Sequence, residues 1–311
     1  MHILSGITIL CFAASYGVAL LLEASRLLFR LPVRFVIMVL FAAAGLFAHS
    51  AYLVIRAQAG IPGGMPLSSW YDWCLLAAWV LAAVYLGFVI GRPESAMGIF
   101  LLPLVEGLIG VAYLWRAAPP FQRTEALKYW AIVHGVSLLL GTVAVTLGFA
   151  AGLMYLVQSY RLKQKLAPRP GFKLPSLEWL QRFNERALVI SSLLLLAGIA
   201  AGTVWNVVKQ SAGVPWTDRV VVISGLLVVW LIAALVFNGF YRPARQGRKV
   251  AYLTVASFVV VMLVLAIVLT SSQHARGKAE TSSERREASK TRLLTRRPLL
   301  NSRIPQPGAH T

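Results

Sequence analysis

The chain alternates between long apolar runs and short clusters of charged residues. Each run is about 20 residues long, the length that an α-helix needs to cross the hydrocarbon core of a bilayer. The pattern therefore predicts an all-α fold, a polytopic integral membrane helix bundle with about eight transmembrane helices. The predicted helices span residues 3–22, 35–55, 69–90, 97–115, 129–158, 187–207, 220–240 and 250–270.

Composition supports a membrane protein, because 58% of the 311 residues are hydrophobic and only 13% are charged. The first run follows no basic segment and precedes no small-residue cleavage site, so we expect a retained helix rather than a removed signal peptide. Residues 1–270 form the predicted transmembrane domain. Residues 271–311 hold nine Lys and Arg against three Glu without apolar periodicity, and they are predicted to be a basic, disordered C-terminal tail.

The positions of Lys and Arg predict the orientation of the bundle, because positive charge in short loops favours the inner side of the membrane. With the N-terminus outside, the inner loops hold 15 basic residues and the outer loops hold six. Both termini are therefore predicted to lie outside. The basic tail runs against this orientation, but charge far from a helix end carries little weight in the rule.

The net charge of +19 does not indicate nucleic acid, because the basic residues flank the apolar runs, where they meet lipid headgroups. The predicted partner is the lipid bilayer. Cys11 and Cys74 lie in separate runs, which indicates small buried residues rather than a zinc site or a thiol relay. The chain has no glycine-rich phosphate loop and no hydrolase motif, so we assign no catalytic residue.

Two histidines lie within apolar runs, where a polar side chain needs a partner. His134 lies five residues into the fifth predicted helix, about 7 to 8 Å along its axis. His49 lies six residues before the outer end of the second, so both imidazoles share a depth. Two neutral imidazoles at one level are the arrangement that ligates haem iron between helices, provided that the helices are neighbours. The alternative is a pair of interfacial histidines hydrogen-bonded to carbonyl groups or water.

Tryptophan is concentrated at the predicted outer ends of the helices. This excess indicates an aromatic platform for a planar hydrophobic ligand, although tryptophan belts at membrane interfaces are an equal alternative. The outer tryptophans are Trp70, Trp73, Trp115, Trp130, Trp205 and Trp216, which are six of the nine in the chain.

Acidic residues near the membrane are few. Glu106 is the one carboxylate well inside a predicted helix, and we expect it to be protonated or to face the bundle interior. Asp72 and Asp218 are expected to be solvated caps. Residues 175–186 place Leu177, Leu180 and Phe183 on one helical face, which predicts a short amphipathic helix lying on the membrane surface.

Several segments together resemble the cytochrome c assembly family of membrane proteins, and most closely its eight-helix HemX-like branch. The resemblance runs from the second to the eighth predicted helix. It rests on the order and spacing of Leu46–His49, Leu102–Pro103, Trp130–Gly135, Gly152–Gln158, Leu174–Asn184 and Gly198–Trp205.

This resemblance implies an integral protein of the bacterial inner (plasma) membrane that binds haem on its outer side. Haem-delivering members carry a tryptophan-rich outer loop flanked by two histidines that ligate iron. His134 matches the first of these histidines. The loop here retains only Trp216 and Asp218, out of register, and Asn238 stands near the place of the second histidine. The resemblance therefore leaves His134 and His49 as the candidate ligands of haem iron.

The preferred prediction is a haem-binding or haem-handling component of cytochrome c assembly that holds b-type, non-covalent haem without completing thioether attachment. Another cytochrome c maturation protein or apocytochrome c is the implied partner. A HemX-like regulatory or scaffold protein of tetrapyrrole metabolism that binds no haem is the main alternative, and a bis-histidine electron carrier is a third. The predicted cofactor-binding residues are His134, His49, Trp130, Trp205, Trp70 and Trp73, with Arg123 or Lys128 near the propionates.

Overall fold

A computed structural model of the protein describes residues 8–27, 33–59, 69–116, 128–165, 172–209, 219–240 and 247–268. These ranges contain no β-strand, only an isolated bridge between Ser95 and Lys173. The prediction of an all-α membrane bundle is confirmed. The described helices are α1 (Ile9–Ser25), α2 (Arg34–Ala59), α3 (Trp70–Gly91), α4 (Gly98–Leu114), α5 (Lys128–Lys163), α6 (Leu177–Lys209), α7 (Arg219–Phe240) and α8 (Gly247–Val268).

Six of these helices, α2, α3 and α5 to α8, are long and apolar enough to cross a membrane. The other two, α1 and α4, are apolar helices of 17 residues each. A helix satisfies its own backbone hydrogen bonds, which is why apolar sequences of this length adopt it in lipid. The predicted tail, residues 271–311, lies outside the described residues.

The bundle has two halves that meet at α5. Helices α1 to α4 pack around one apolar core, which continues onto α5 and α6 through residues such as Met154 and Leu180. A smaller core is formed by α5, α6, α7 and α8, and it includes Val145, Leu195 and Leu231. Because α5 contacts α3, α4 and α6, it connects the two halves.

Glycines bring α5 close to its neighbours. A Cβ atom at Gly141 would lie 2.8 Å from the Leu195 side chain on α6, and one at Gly148 would lie 2.7 Å from the Thr254 side chain on α8. Small residues at such positions allow helices to approach closely in a membrane, where packing replaces the hydrophobic effect as the source of helix association.

The prediction of a separate amphipathic helix over residues 175–186 is wrong, because these residues lead into the single continuous helix α6. Leu180 is fully buried, and Trp179 stacks on Phe183, with ring centroids 5.1 Å apart, while both rings pack edge-on against Phe88 of α3. The apolar face therefore packs on the bundle rather than lying on lipid. No proline or glycine occurs between Leu177 and Gly198, so nothing in this segment interrupts the helix.

The first helix also extends further than predicted and carries a buried charge. Glu23 lies in the last turn of α1 with its side chain fully buried, and Arg26 donates to it across 3.0 Å. Arg26 also donates to the carbonyl oxygens of Ser95 and Pro93 in the connection between α3 and α4. Arg26 therefore links Glu23, in the last turn of α1, to the connection between α3 and α4.

Candidate functional site

His134 is held in one orientation by α6. Its Nδ1 atom lies 2.7 Å from the carbonyl oxygen of Gly198. A carbonyl oxygen can only accept, so Nδ1 carries a proton, and in the neutral imidazole Nε2 then keeps its lone pair. The imidazole is half-buried, and within the described ranges no other hydrogen bond to it is found. A neutral imidazole oriented by a carbonyl group is the usual state of a metal-ligating histidine.

The imidazole lies directly against the backbone of α6. A Cβ atom on Gly202 would come within 2.6 Å of His134 Nδ1 and 2.7 Å of its Cε1 atom. Trp205 lies one turn further along α6, with its ring centroid 6.4 Å from that of the imidazole and the planes tilted by 45°. Gly198, Gly202 and Trp205 thus form a single face of α6 that accommodates the ring.

A second tryptophan approaches the same site from α3. The Cη2 and Cζ2 atoms of Trp73 lie 2.8 Å from the position that a Cβ atom would take at Gly135, the residue after His134. His134 thus faces Trp205 on α6, while Trp73 of α3 packs against α5 at the next residue, Gly135.

The other two predicted aromatic residues lie at the ends of their helices. Trp130 is near the start of α5, 38% exposed, and packs edge-on against Tyr129. Trp70 is the half-buried first residue of α3. Their assignment to a haem surface stays a prediction.

His49 has a different environment. It is fully buried on α2 and stacks on Phe12 of α1, with ring centroids 4.2 Å apart and planes 3° from parallel. Tyr16 of α1 also borders it, at a centroid distance of 6.1 Å. Both ring nitrogens are buried without a hydrogen-bond partner in the part of the chain that the structure describes. The described contacts of His49 are thus with α1 and those of His134 with α6, and their pairing stays a prediction.

Asp72 is a helix cap, as predicted, but it is buried rather than solvated. Its side chain is 1% exposed and forms a reciprocal capping box with Ser69 at the start of α3. Arg56 at the end of α2 donates to the same carboxylate and lies over the ring of Tyr71. The hydroxyl of Tyr71 is 2.5 Å from that of Tyr52. These hydrogen bonds form one polar network between α2 and α3. Because the network satisfies the Asp72 carboxylate, that group can be buried.

Asn238, which stands near the place of the second family histidine, lines a cleft of about 370 Å³ between α6 and α7. Glu185 and Arg186 line the same cleft, and the Asn238 Oδ1 atom is buried there without a partner among the described residues. Arg123, Trp216 and Asp218 lie outside the described residues. Lys128 is the first residue of α5.

The two cysteines differ from each other. Cys74 is partly buried in α3, whereas Cys11 is exposed on α1, so the expectation of burial is wrong for Cys11. Hydrocarbon-facing positions suit a small apolar residue as well as a core does. Both thiols are free.

Sequence reasoning did not find the polar contacts between α1 and α4. Glu106 of α4 approaches Gly17 of α1, and its Oε1 atom is buried without a partner among the described residues, as is the hydroxyl of Tyr16. Further polar atoms on Glu23 and Tyr85 are also buried and unpartnered there. Glu23 escaped notice because the first helix was predicted to end at residue 22.

The described residues contain no group of three His, Cys, Asp or Glu side chains that could enclose a bare metal ion. The site at His134 instead offers one imidazole nitrogen with the indole ring of Trp205 beside it and that of Trp73 against the next residue of α5. Such a set fits a planar metal complex that brings its own equatorial ligands, because the protein then supplies only axial ligation and apolar walls. The chemistry of these residues therefore fits haem.

Comparison with known proteins gives the family. The family profile described as "Cytochrome C assembly protein" matches residues 67–274, which include α3 to α8. A cytochrome c biogenesis protein CcsA of Guillardia theta is 25% identical over 224 residues, which cover 65% of this chain and 72% of that protein. One of Microcystis aeruginosa is 24% identical over 249 residues, covering 64% and 74% respectively. No solved structure matches the chain significantly. The profile match extends over more than half of the chain, which therefore belongs to the cytochrome c assembly protein family.

Proposed function

We propose that this membrane protein binds haem non-covalently at the face formed by His134, Trp73 and Trp205, and that it handles haem for cytochrome c assembly. The observation that carries the proposal is the hydrogen bond from His134 Nδ1 to the Gly198 carbonyl oxygen. It leaves the Nε2 lone pair for an iron ligand, and it holds the ring in one orientation. The names of the two CcsA relatives support a role in the same process.

The residues around His134 would perform separate tasks. His134 Nε2 would supply an axial ligand, while the rings of Trp205 and Trp73 would cover the macrocycle and exclude water. Trp130 and Trp70, near the helix ends, would extend this aromatic surface. Arg123 or Lys128 would pair with the propionates, which are the only charged groups of haem. When bound, haem supplies the iron centre and its covalently reactive vinyl groups.

His49 is the proposed second axial ligand. Its nitrogens lack partners among the described residues, and a buried imidazole without a partner is costly, so a ligand would satisfy it. The stacked Phe12 ring covers the face of the imidazole and leaves its in-plane lone pair free. Ligation would instead require the side chains that bury both ring nitrogens to move aside, because His49 is fully buried.

The N-terminus, the C-terminus and the His134 face are all proposed to lie on the outer side of the bacterial plasma membrane. The distribution of basic residues supports this orientation. Haem held there could pass to an apocytochrome c or to another maturation protein. The loop around Trp216 retains few of the residues of the family's tryptophan-rich loop. This loss favours a protein that holds or passes haem over one that completes its covalent attachment.

The experiment is a comparison of absorption spectra of the protein purified in mild detergent from haem-replete cells. The parent is expected to show a Soret band in oxidised and reduced states. His134→Ala should abolish or shift this band, and His49→Ala should do so if His49 is the second ligand. His274→Ala, in the tail, is the matched control and should match the parent. A parent that stays colourless after haem titration would contradict haem binding and favour the regulatory or scaffold function.

A further inference from the structure

Buried polar atoms without partners are concentrated in the half of the bundle formed by α1 to α4. Most buried polar side-chain atoms in proteins are hydrogen-bonded to protein or to ordered water, so such a concentration marks a place where water or a proton is held. Seven atoms in this half are buried without a partner among the described residues: Tyr16 Oη, Glu23 Oε2, both ring nitrogens of His49, Tyr85 Oη, Ser95 Oγ and Glu106 Oε1.

Glu106 lies at the centre of this group. It is near the middle of α4, and its Oε1 atom lies 3.8 Å from the Cβ position of Gly17 on α1. Tyr16 is close enough to interact electrostatically with it, and the Tyr16 ring lies 6.1 Å from that of His49 on α2. No ion pair to Glu106 exists in the described ranges, whereas Glu23 is paired with Arg26. An unpaired carboxylate at this depth in a membrane is strongly disfavoured, but a neutral carboxylic acid is not.

The two ends of this half-bundle differ in how their polar groups are satisfied. At the end holding Asp72, the polar groups of Arg56, Ser69, Tyr71 and Tyr52 bond to one another. At the other end, Glu23 Oε2, Tyr85 Oη and Ser95 Oγ are buried without described partners, although Arg26 pairs with the other Glu23 oxygen and Arg34 lies near enough to interact with Glu23.

The end that holds Glu23 lies on the same face of α1 as Tyr16. Glu23 is seven residues after Tyr16, two helical turns or about 10 Å along the axis. Gly98 of α4 allows close packing within this end, since a Cβ atom there would lie 2.7 Å from the Tyr85 ring and 2.9 Å from Glu23 Cγ. Bound waters spanning two turns would connect the layers, since waters bridge buried polar groups that lack protein partners.

We propose that Glu106 is an internal proton-binding site, which exchanges its proton through bound water with the end of the bundle that carries Glu23, Tyr85 and Ser95. The ligand is a proton. On uptake, a Glu106 carboxylate oxygen forms an O–H bond with a proton passed along the waters, and on release the same bond breaks and the proton returns by that route. Glu106, Glu23, Tyr85 and Ser95 are not among the residues proposed to hold haem, whereas His49, the proposed second ligand, borders this group at Tyr16.

The test is infrared spectroscopy of the parent protein in lipid vesicles. The parent should show the C=O stretch of a protonated carboxyl group, shifted on transfer from H₂O to D₂O. Glu106→Gln should remove this band, and Glu106→Asp should move it. Glu178→Gln is the matched control, because Glu178 is exposed and paired with Arg182, and it should keep the band. A parent without the band, or a Glu106→Gln variant that retains it, would overturn the proposal.

The entry side is tested by the rate of hydrogen–deuterium exchange of the same band. Tyr85→Phe and Tyr71→Phe each remove one hydroxyl group, at opposite ends of the half-bundle. Tyr85→Phe should slow the exchange severalfold, and Tyr71→Phe should leave it at the parent rate. Equal rates in both variants, or slowing by Tyr71→Phe alone, would overturn the proposed route.

Discussion

At the scale of single residues, a glycine and a carbonyl group decide the orientation of the candidate ligand. The sequence predicts His134 as a ligand because an imidazole within an apolar run needs a partner. It does not predict that Gly198 supplies the acceptor, since that contact joins residues 64 positions apart on two helices. Long-range geometry of this kind depends on how α5 packs on α6, which hydropathy leaves open.

Gly202→Ala should impair the site without altering any ligand. The new Cβ atom would lie 2.6 Å from His134 Nδ1, so the ring must move and its bond to Gly198 must lengthen or break. We expect weaker haem binding by about tenfold, equivalent to about 1.4 kcal/mol, measured by haem titration followed at the Soret band. Gly225→Ala on α7 is the control, because no atom lies within 4 Å of its Cβ position. Equal affinity in the two variants would show that the Gly202 contact does not position His134.

Asp72→Ala should destabilise the protein although Asp72 itself is not proposed to contact haem. The change removes the cap of α3 and leaves Arg56 without its carboxylate. Loss of a cap costs about 1 kcal/mol, and the partly buried ion pair adds to this. We expect thermal unfolding in detergent at a clearly lower temperature.

Glu178→Ala is the control for this loss, because both side chains of the Glu178–Arg182 ion pair are exposed. Exposed pairs of this spacing contribute about 0.3 to 0.5 kcal/mol, so the unfolding temperature should hardly change. If the two variants unfolded at the same temperature, the buried network at Asp72 would contribute no more than a surface pair.

At the scale of helices, hydropathy predicts the number of elements well because lipid forces long apolar segments to be helical. It predicts their ends poorly. The charged residues near Arg182 mark the membrane surface, but α6 continues through them, since Leu180 and Trp179 find a packing surface on α3. In the same way, α1 continues past residue 22 to include Glu23, because Arg26 forms an ion pair with the Glu23 carboxylate. The packing surface on α3 is distant in sequence, whereas Arg26 is only three residues after Glu23.

Trp179→Ala should loosen the first turns of α6. Trp179 stacks on Phe183, meets Phe88 edge-on and lies under the Arg92 guanidinium at 4.7 Å. Truncation of a buried tryptophan costs about 3 to 5 kcal/mol, and this half-buried one should cost less. Amide exchange should accelerate over residues 177–186 and stay unchanged near Gly198. Unchanged exchange over the whole helix would indicate that the segment is helical without docking on α3.

At the scale of the whole molecule, the bundle places different chemistry in its two halves. The His134 face lies where α3, α5 and α6 meet, whereas the unpartnered polar atoms around Glu106 lie among α1, α2, α3 and α4. The family profile begins at residue 67 and so omits α1 and α2, which supply Tyr16 and His49. Tyr16 and His49 therefore lie outside the part of the chain that matches the family profile, whereas Glu106 lies within it.

The proposed orientation can be tested with single cysteines in a variant that lacks Cys11 and Cys74. A cysteine at Glu94, which is exposed in the connection between α3 and α4, should react with a membrane-impermeant reagent only after the membrane is opened. A cysteine at Thr311, in the tail, should react in intact cells. The reverse pattern would invert the bundle and move the His134 face to the inner side.

Ligation of haem iron by His134 is tested most directly by replacing its imidazole with a diffusible one. His134→Gly removes the ligand and leaves room beside Gly202, so purified protein should lack the parent's Soret band in buffer and regain it when imidazole and haem are added together. Restoration of the parent spectrum would establish His134 as an axial ligand. A His134→Gly variant that holds haem with the parent spectrum before imidazole is added would contradict the account.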